Sequence, residues 1–244
     1  MTAKSSLGVR CLAELIGTCI LLFVANGAAV SVALLSHTSG QTTFVVDLLI
    51  VGLAAGLTRF GLVIVFGSIS GAHVNPAVTL SFVTIRQLSP RDAAGYIGAQ
   101  IVGALLGVLL IIALFGNVAL GAPRLDAPML SNVGTVQGAA IEALGTGILV
   151  VVMITTMVDA AAPEGWAGLT IGLALASINL FMWPSTRAMV NPARAFAPDL
   201  VLWTAGVPVQ WGIFAAVYLV GPLVGGIVAA LGYRYVVPRE VAKQ

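Results

Sequence analysis

Two stretches decide how this chain is read: Ser70-Gly71-Ala72-His73-Val74-Asn75-Pro76-Ala77-Val78-Thr79 and Val190-Asn191-Pro192-Ala193-Arg194. Both contain Asn-Pro-Ala, and both sit where an apolar chain should be crossing a membrane. Proline opens a helix well, because its missing N–H would be unpaired there anyway. Asparagine before it is a good N-cap. Each copy therefore predicts the start of a short helix. Backbone without partners is tolerated at bilayer depth only where it lines a cavity. Short, proline-interrupted segments at matching positions in two halves point to a pore or binding site at the midplane.

The surrounding composition fits that reading. The 244 residues are 59% hydrophobic and only 8% charged, with mean hydropathy +1.06. Soluble domains carry about 25% charged residues, so this is an integral membrane protein. The 28 glycines suit helices that approach closely through small residues. A net charge of +2 gives no reason to expect nucleic acid as a partner. The N-terminal apolar run continues far past the apolar core of a cleavable signal peptide. Cys11 and Cys19 lie about 12 Å apart along one helix, too far for a disulfide. They read as small buried residues.

A spanning helix needs about 20 mostly apolar residues. Spans are expected at roughly 10–35, 44–67, 92–116, 136–158, 166–184 and 210–236. The Asn-Pro-Ala segments, roughly 75–86 and 191–201, are too short to span and read as re-entrant half-helices. The connectors, His37 to Gln41, Arg86 to Arg91, Gly121 to Gly134 and Asp159 to Gly165, are polar or turn-rich. Lys4, Arg10, Arg86, Arg91, Arg234, Arg239 and Lys243 fall on one side of this arrangement. Arg124, Arg187 and Arg194 fall on the other. Lys and Arg mark the cytoplasmic side, so both termini are expected inside the cell (plasma or inner) membrane. The aromatics Trp166, Trp183, Trp203, Trp211, Tyr233 and Tyr235 sit near span ends and read as interfacial anchors.

The halves repeat. Ala13-Glu14-Leu15-Ile16-Gly17-Thr18 recurs as Ile141-Glu142-Ala143-Leu144-Gly145-Thr146, and Asn75-Pro76-Ala77 recurs as Asn191-Pro192-Ala193. Each half holds three spans and one half-helix. An odd number of spans inverts one half relative to the other.

Together these residues resemble the aquaporin (major intrinsic protein) family, over nearly the whole chain. The resemblance implies an all-α membrane protein, with six transmembrane helices and two re-entrant half-helices in an inverted repeat. One channel domain would cover 1–244, with halves of approximately 1–120 and 135–240. A homotetramer with one pore per subunit is implied, and no cofactor. The chemistry of the residues agrees. Two half-helix N-termini meeting at mid-membrane place partial positive charge at one spot. Asn75 and Asn191 can each offer an N–H to a passing water, and the field repels cations. The carbonyls of Gly71 to His73 and of Arg187 to Val190, including Ala188 and Met189, supply acceptors. Glu14 and Glu142 are ionisable groups inside spans, which are functional by default. Proton relay is one reading. The family implies the other, in which each carboxylate supports the loop before a half-helix.

The family also has a constriction beside the Asn-Pro-Ala centre, and counting from the motifs places it at Ala55, Asn179, Ala188 and Arg194. Water-selective members resemble each other in having an aromatic and a His where this chain has Ala55 and Asn179. On size alone the filter should be wider, admitting glycerol, urea, ammonia or neutral metalloid acids besides water. The glycerol-conducting branch carries an Asp after its Arg, whereas Ala195 follows here. Some members carry a mercury-sensitive Cys where this chain has Ala188. Arg59 shares a helix face with Ala55, on a position that is aliphatic in relatives. It could pack against Glu14 away from the pore, reach into the space left by Ala55 beside Arg194, or obstruct the path.

No Gly-x-x-x-x-Gly-Lys loop, metal-ligand cluster or paired nucleophile and base is present. With His37 and His73 the sole histidines, hydrolysis is not expected. The primary reading is a passive channel for water and small neutral solutes. The alternatives are a water-selective or gated channel narrowed by Arg59, and a non-conducting structural or sensory protein. An ion-coupled transporter lacks a coupling-ion site.

Overall fold

The computed structural model describes residues 5–39, 44–121, 124–159 and 162–236. Lys4, Gln41, Arg239 and Lys243, and the side chains of His37 and Arg124, lie outside the described residues.

Six helices are long and apolar enough to cross a membrane. They are α1 (Leu7–Ser39), α2 (Phe44–Ser70), α4 (Pro90–Phe115), α5 (Thr135–Met157), α6 (Ala167–Thr186) and α8 (Trp211–Val236). Two short helices, α3 (Pro76–Thr84) and α7 (Pro192–Thr204), complete the fold. Within α8, Phe214–Val220 is wound as a π-helix, a widening often seen where side chains must be re-aimed.

Several ends differ from the hydropathy boundaries, each for a local reason. α1 starts at Leu7, three residues early, because the Ser6 carbonyl accepts the Arg10 N–H at 3.0 Å. α2 runs on to Ser70 and stops where Gly71 adopts φ +83°. The first half-helix ends at Thr84, before Arg86 at φ 63°. The second continues to Thr204, since no left-handed residue intervenes before Gly206 at φ 81°.

Packing follows the repeat. α1 lies against α2 and α4, and α5 lies likewise against α6 and α8, while α2 and α6 form the central seam. Small residues allow these crossings. A Cβ on Gly56 would come within 2.6 Å of the Gly172 carbonyl, and one on Gly172 within 2.7 Å of the Gly56 carbonyl. Gly103 and Gly107 of α4 sit against the Leu15 and Cys19 carbonyls. Gly221 and Gly225 of α8 do the same against Ala139 and Ala143. Each half-helix packs on the last span of the other half, α3 on α8 and α7 on α4. That exchange brings both half-helix N-termini to the bundle centre.

Candidate functional site

The two half-helix tips are built alike. Asn75 and Asn191 have extended backbones, and each side-chain Oδ1 caps its own helix. The Asn75 Oδ1 accepts the Ala77 N–H at 2.9 Å, and the Asn191 Oδ1 accepts the Ala193 N–H at 3.0 Å. The Nδ2 groups cross over. Asn75 donates to the Val190 carbonyl at 2.7 Å, and Asn191 donates to the Val74 carbonyl at 2.8 Å. Each amide has two N–H groups, so one remains for the lumen. Pro76, Ala77, Pro192 and Ala193 are buried in the first turns.

The loops entering the half-helices are bent in the same way. Ala72 and Val74 have φ of 45° and 42°, and Ala188 and Val190 have φ of 47° and 41°. Positive φ in a β-branched residue is a true outlier, at a cost of about 1–3 kcal/mol each. Two buried carboxylates hold these bends. Glu14 accepts from Ser70 Oγ at 2.6 Å, His73 N at 2.9 Å, Val74 N at 2.6 Å and Gln100 Nε2 at 2.7 Å. Glu142 accepts from Thr186 Oγ1 at 2.6 Å, Met189 N at 3.0 Å and Val190 N at 2.5 Å. With the loop N–H groups turned outward to a carboxylate, the carbonyls of Val74 and Val190 face inward. Gly71 and Ala72 contribute the bend, not the lumen wall.

Arg194 is caged. Its Nε donates to Asn26 Oδ1 at 3.2 Å. Its Nη1 donates to Asn179 Oδ1 at 3.2 Å and to the Ala188 carbonyl at 3.0 Å, and its Nη2 pairs with Asp126 at 3.2 Å. Asn179 spends its own amide on the Leu175 carbonyl at 2.9 Å. Both ends of Asn179, and the Ala188 carbonyl, are thus engaged within the protein. Asp126 comes from a short turn after α4 and is buried. Burial pushes its carboxyl above the usual range, while Arg194 and then Arg187 pull it back. Arg187 stacks on Trp183, 4.0 Å from the ring centroid, at the mouth beside Asp126 and Asp199.

Between these structures lies a narrow lumen. Ala55, Arg59, His73, Val74, Asn75, Met189, Val190, Asn191 and Arg194 line it, with Leu21, Leu149 and Leu175 as an apolar wall. Its cavity volume is about 20 Å³, enough for roughly one or two waters. Arg59 is 2% exposed and reaches across to α5, where its Nη2 meets Met153 Sδ at 3.2 Å. Its Nη1 has no hydrogen-bond partner. No ion pair joins it to Glu14 among the described residues.

The sequence reading missed Asn26, Asp126, Tyr96, Gln100 and Thr186, and gave Ser70 and Thr79 no role beyond their place in the first motif. Gln100 bridges Glu14 and Thr79 Oγ1, and Tyr96 donates to the Ser70 carbonyl at 2.9 Å. A signal existed for Asn26 and Gln100, which are isolated polar residues inside apolar spans. Asp126 lies in a connector and carried none.

The Major intrinsic protein family profile matches residues 1–233. The chain is 36% identical over 242 residues to a probable aquaporin, AqpM, of Archaeoglobus fulgidus, covering 94% of this chain and 97% of that one. It is 30% identical over 270 residues to the glycerol uptake facilitator protein of Escherichia coli, covering 99% and 92%. The solved aquaglyceroporin of Plasmodium falciparum superposes with a TM-score of 0.84 at 24% identity, over 98% of this chain and 100% of that one. That likeness shows the fold.

Proposed function

Since the chain belongs to the major intrinsic protein family and is a membrane channel, not an enzyme, we propose that its principal solute is water. Other neutral solutes of about water's size would follow the same route, and glycerol would be excluded. The observation carrying this reading is the lumen of about 20 Å³ with Arg59 set across it. The opening that Ala55 and Asn179 would leave on size alone is offset by two guanidinium groups. Arg194 is held by Asn179, Asn26 and Asp126, and Arg59 crosses to Met153.

Transport on this reading is a single file of waters. The N–H groups left on Asn75 and Asn191 bind a water oxygen at the centre. Both of its hydrogens then turn away, toward the Val74 and Val190 carbonyls, which breaks a continuous proton wire. Two helix N-termini add positive potential, so cations are excluded. Glu14 and Glu142 hold the loop geometry and take no part in proton movement. The cell membrane is the proposed location. Arg10, Arg86, Arg91 and Arg234 cluster at the end bearing the termini, which supports a cytoplasmic placement of that end. A homotetramer is the proposed assembly.

Stopped-flow light scattering of proteoliposomes tests the solute assignment. Water efflux well above that of empty liposomes, with no glycerol re-entry, is expected. Rapid glycerol entry would overturn the narrow-lumen reading, and no flux of either would favour a non-conducting protein.

A further inference from the structure

We propose that the lumen binds one small monovalent inorganic anion, of the chloride or nitrate class, at the Arg59 guanidinium. The effect on transport described below rests on the proposed water path, whereas binding itself does not.

Arg59 is the lumen cation that no carboxylate reaches within ion-pair distance among the described residues, Glu14 acting on it only from farther away. Arg194, by contrast, has Asp126 at 3.2 Å. The carboxylates that could serve Arg59 are already committed. Glu14 takes four donors and Glu142 takes three, all directed at the loops and their supports. Arg59 itself is 2% exposed, holds a thioether as its one acceptor and leaves Nη1 without a hydrogen-bond partner. A thioether sulfur is a weak acceptor, so the charge stays essentially unsatisfied. Buried charges are stable when paired and hydrogen-bonded and costly otherwise.

The surroundings favour a negative guest. Two half-helices point their N-termini at this space, which adds positive potential. Asn75 and Asn191 each retain an N–H beyond the crossed bonds to Val190 and Val74. The lumen has room for roughly one or two waters, which suits a single ion of about water's size. An ion seated against the Arg59 guanidinium, which lines the lumen, would also stand in the water file and stop it. Small anions would therefore act as reversible blockers of the channel.

The test uses the purified full-length protein in proteoliposomes and in detergent. Water permeability is measured in potassium gluconate, chloride and nitrate at equal osmolarity. For a Kd of about 10 mM, 100 mM chloride fills roughly ten pores in eleven, so permeability should fall about tenfold relative to gluconate. Arg59→Leu should conduct equally in all three salts, and Arg59→Lys should keep the dependence. In detergent, chloride should raise the unfolding temperature of the parent protein and leave that of Arg59→Leu unmoved. Equal permeability and equal unfolding temperature in gluconate and chloride for the parent protein would overturn the proposal, whether or not either variant folds. Absence of water flux in every salt would refute the proposed transport instead. In that case a chloride-dependent unfolding temperature still upholds the anion site, and an unchanged one removes it.

Discussion

Glu14→Gln and Glu142→Gln are the same substitution at repeat-related positions, and they should cost about the same. Both carboxylates are fully buried. A glutamine amide keeps one acceptor oxygen and turns the other into a donor. At Glu14 each oxygen accepts two bonds: Oε1 from Ser70 and His73, Oε2 from Val74 and Gln100. With the amide nitrogen turned toward Ser70 and His73, the Ser70 hydroxyl can rotate to accept its N–H, and the His73 N–H loses its acceptor. At Glu142 the bonds divide unequally, with Thr186 and Met189 on Oε1 and Val190 on Oε2. Turning the amide nitrogen toward Val190 abandons a single donor. A buried unsatisfied donor costs about 1–3 kcal/mol. The expected loss is therefore about 1–3 kcal/mol for either variant. Equilibrium unfolding in mixed micelles, with reconstituted water flux alongside, measures both. The positive-φ bends at Ala72 and Val74 should relax with the first variant, so flux should fall with stability. A neutral Glu14→Gln or a neutral Glu142→Gln would refute the view that hydrogen bonds to these carboxylates set loop stability. Proton-coupled transport lost in either variant would instead return the carboxylates to a relay role.

Asp126→Asn removes the counter-charge of buried Arg194, and should cost about 3–5 kcal/mol by leaving that charge unpaired; an unfolding curve like the parent's would show the pair to be dispensable. Gly225→Ala should disrupt assembly, because its Cβ would fall on the Ala143 carbonyl, whereas Gly232→Ala on the same helix meets nothing within 4 Å and should be tolerated. Size-exclusion profiles of the two variants distinguish them, and equal profiles would discount the α5–α8 contact. Mercuric chloride should leave water flux unchanged, because Ala188 offers no thiol. Inhibition reversed by added thiol would place half-buried Cys11 or Cys19 close enough to the path to matter.

The sequence by itself determined the six spans, the two half-helix starts and the repeat. These signals are local or periodic: a proline with its capping asparagine, an apolar run of bilayer length, a recurring Glu-x-x-Gly-Thr. Physical chemistry within a few residues suffices to read them. Tertiary structure alone decided what the charged residues do. Arg194 reaches Asn26 across 168 positions and Asp126 across 68, and no pattern within a helix announces such partners. Arg59 forms no ion pair with Glu14 among the described residues, and Met153 of α5 lies across the lumen within its reach instead. The width of the lumen was likewise hidden. Ala55 and Asn179 predict an opening from side-chain size, but the open volume depends on where two long cations from other positions come to rest. Those resting places are set by helix crossings, and the crossings are set by how closely small residues such as Gly56 and Gly172 let the backbones approach.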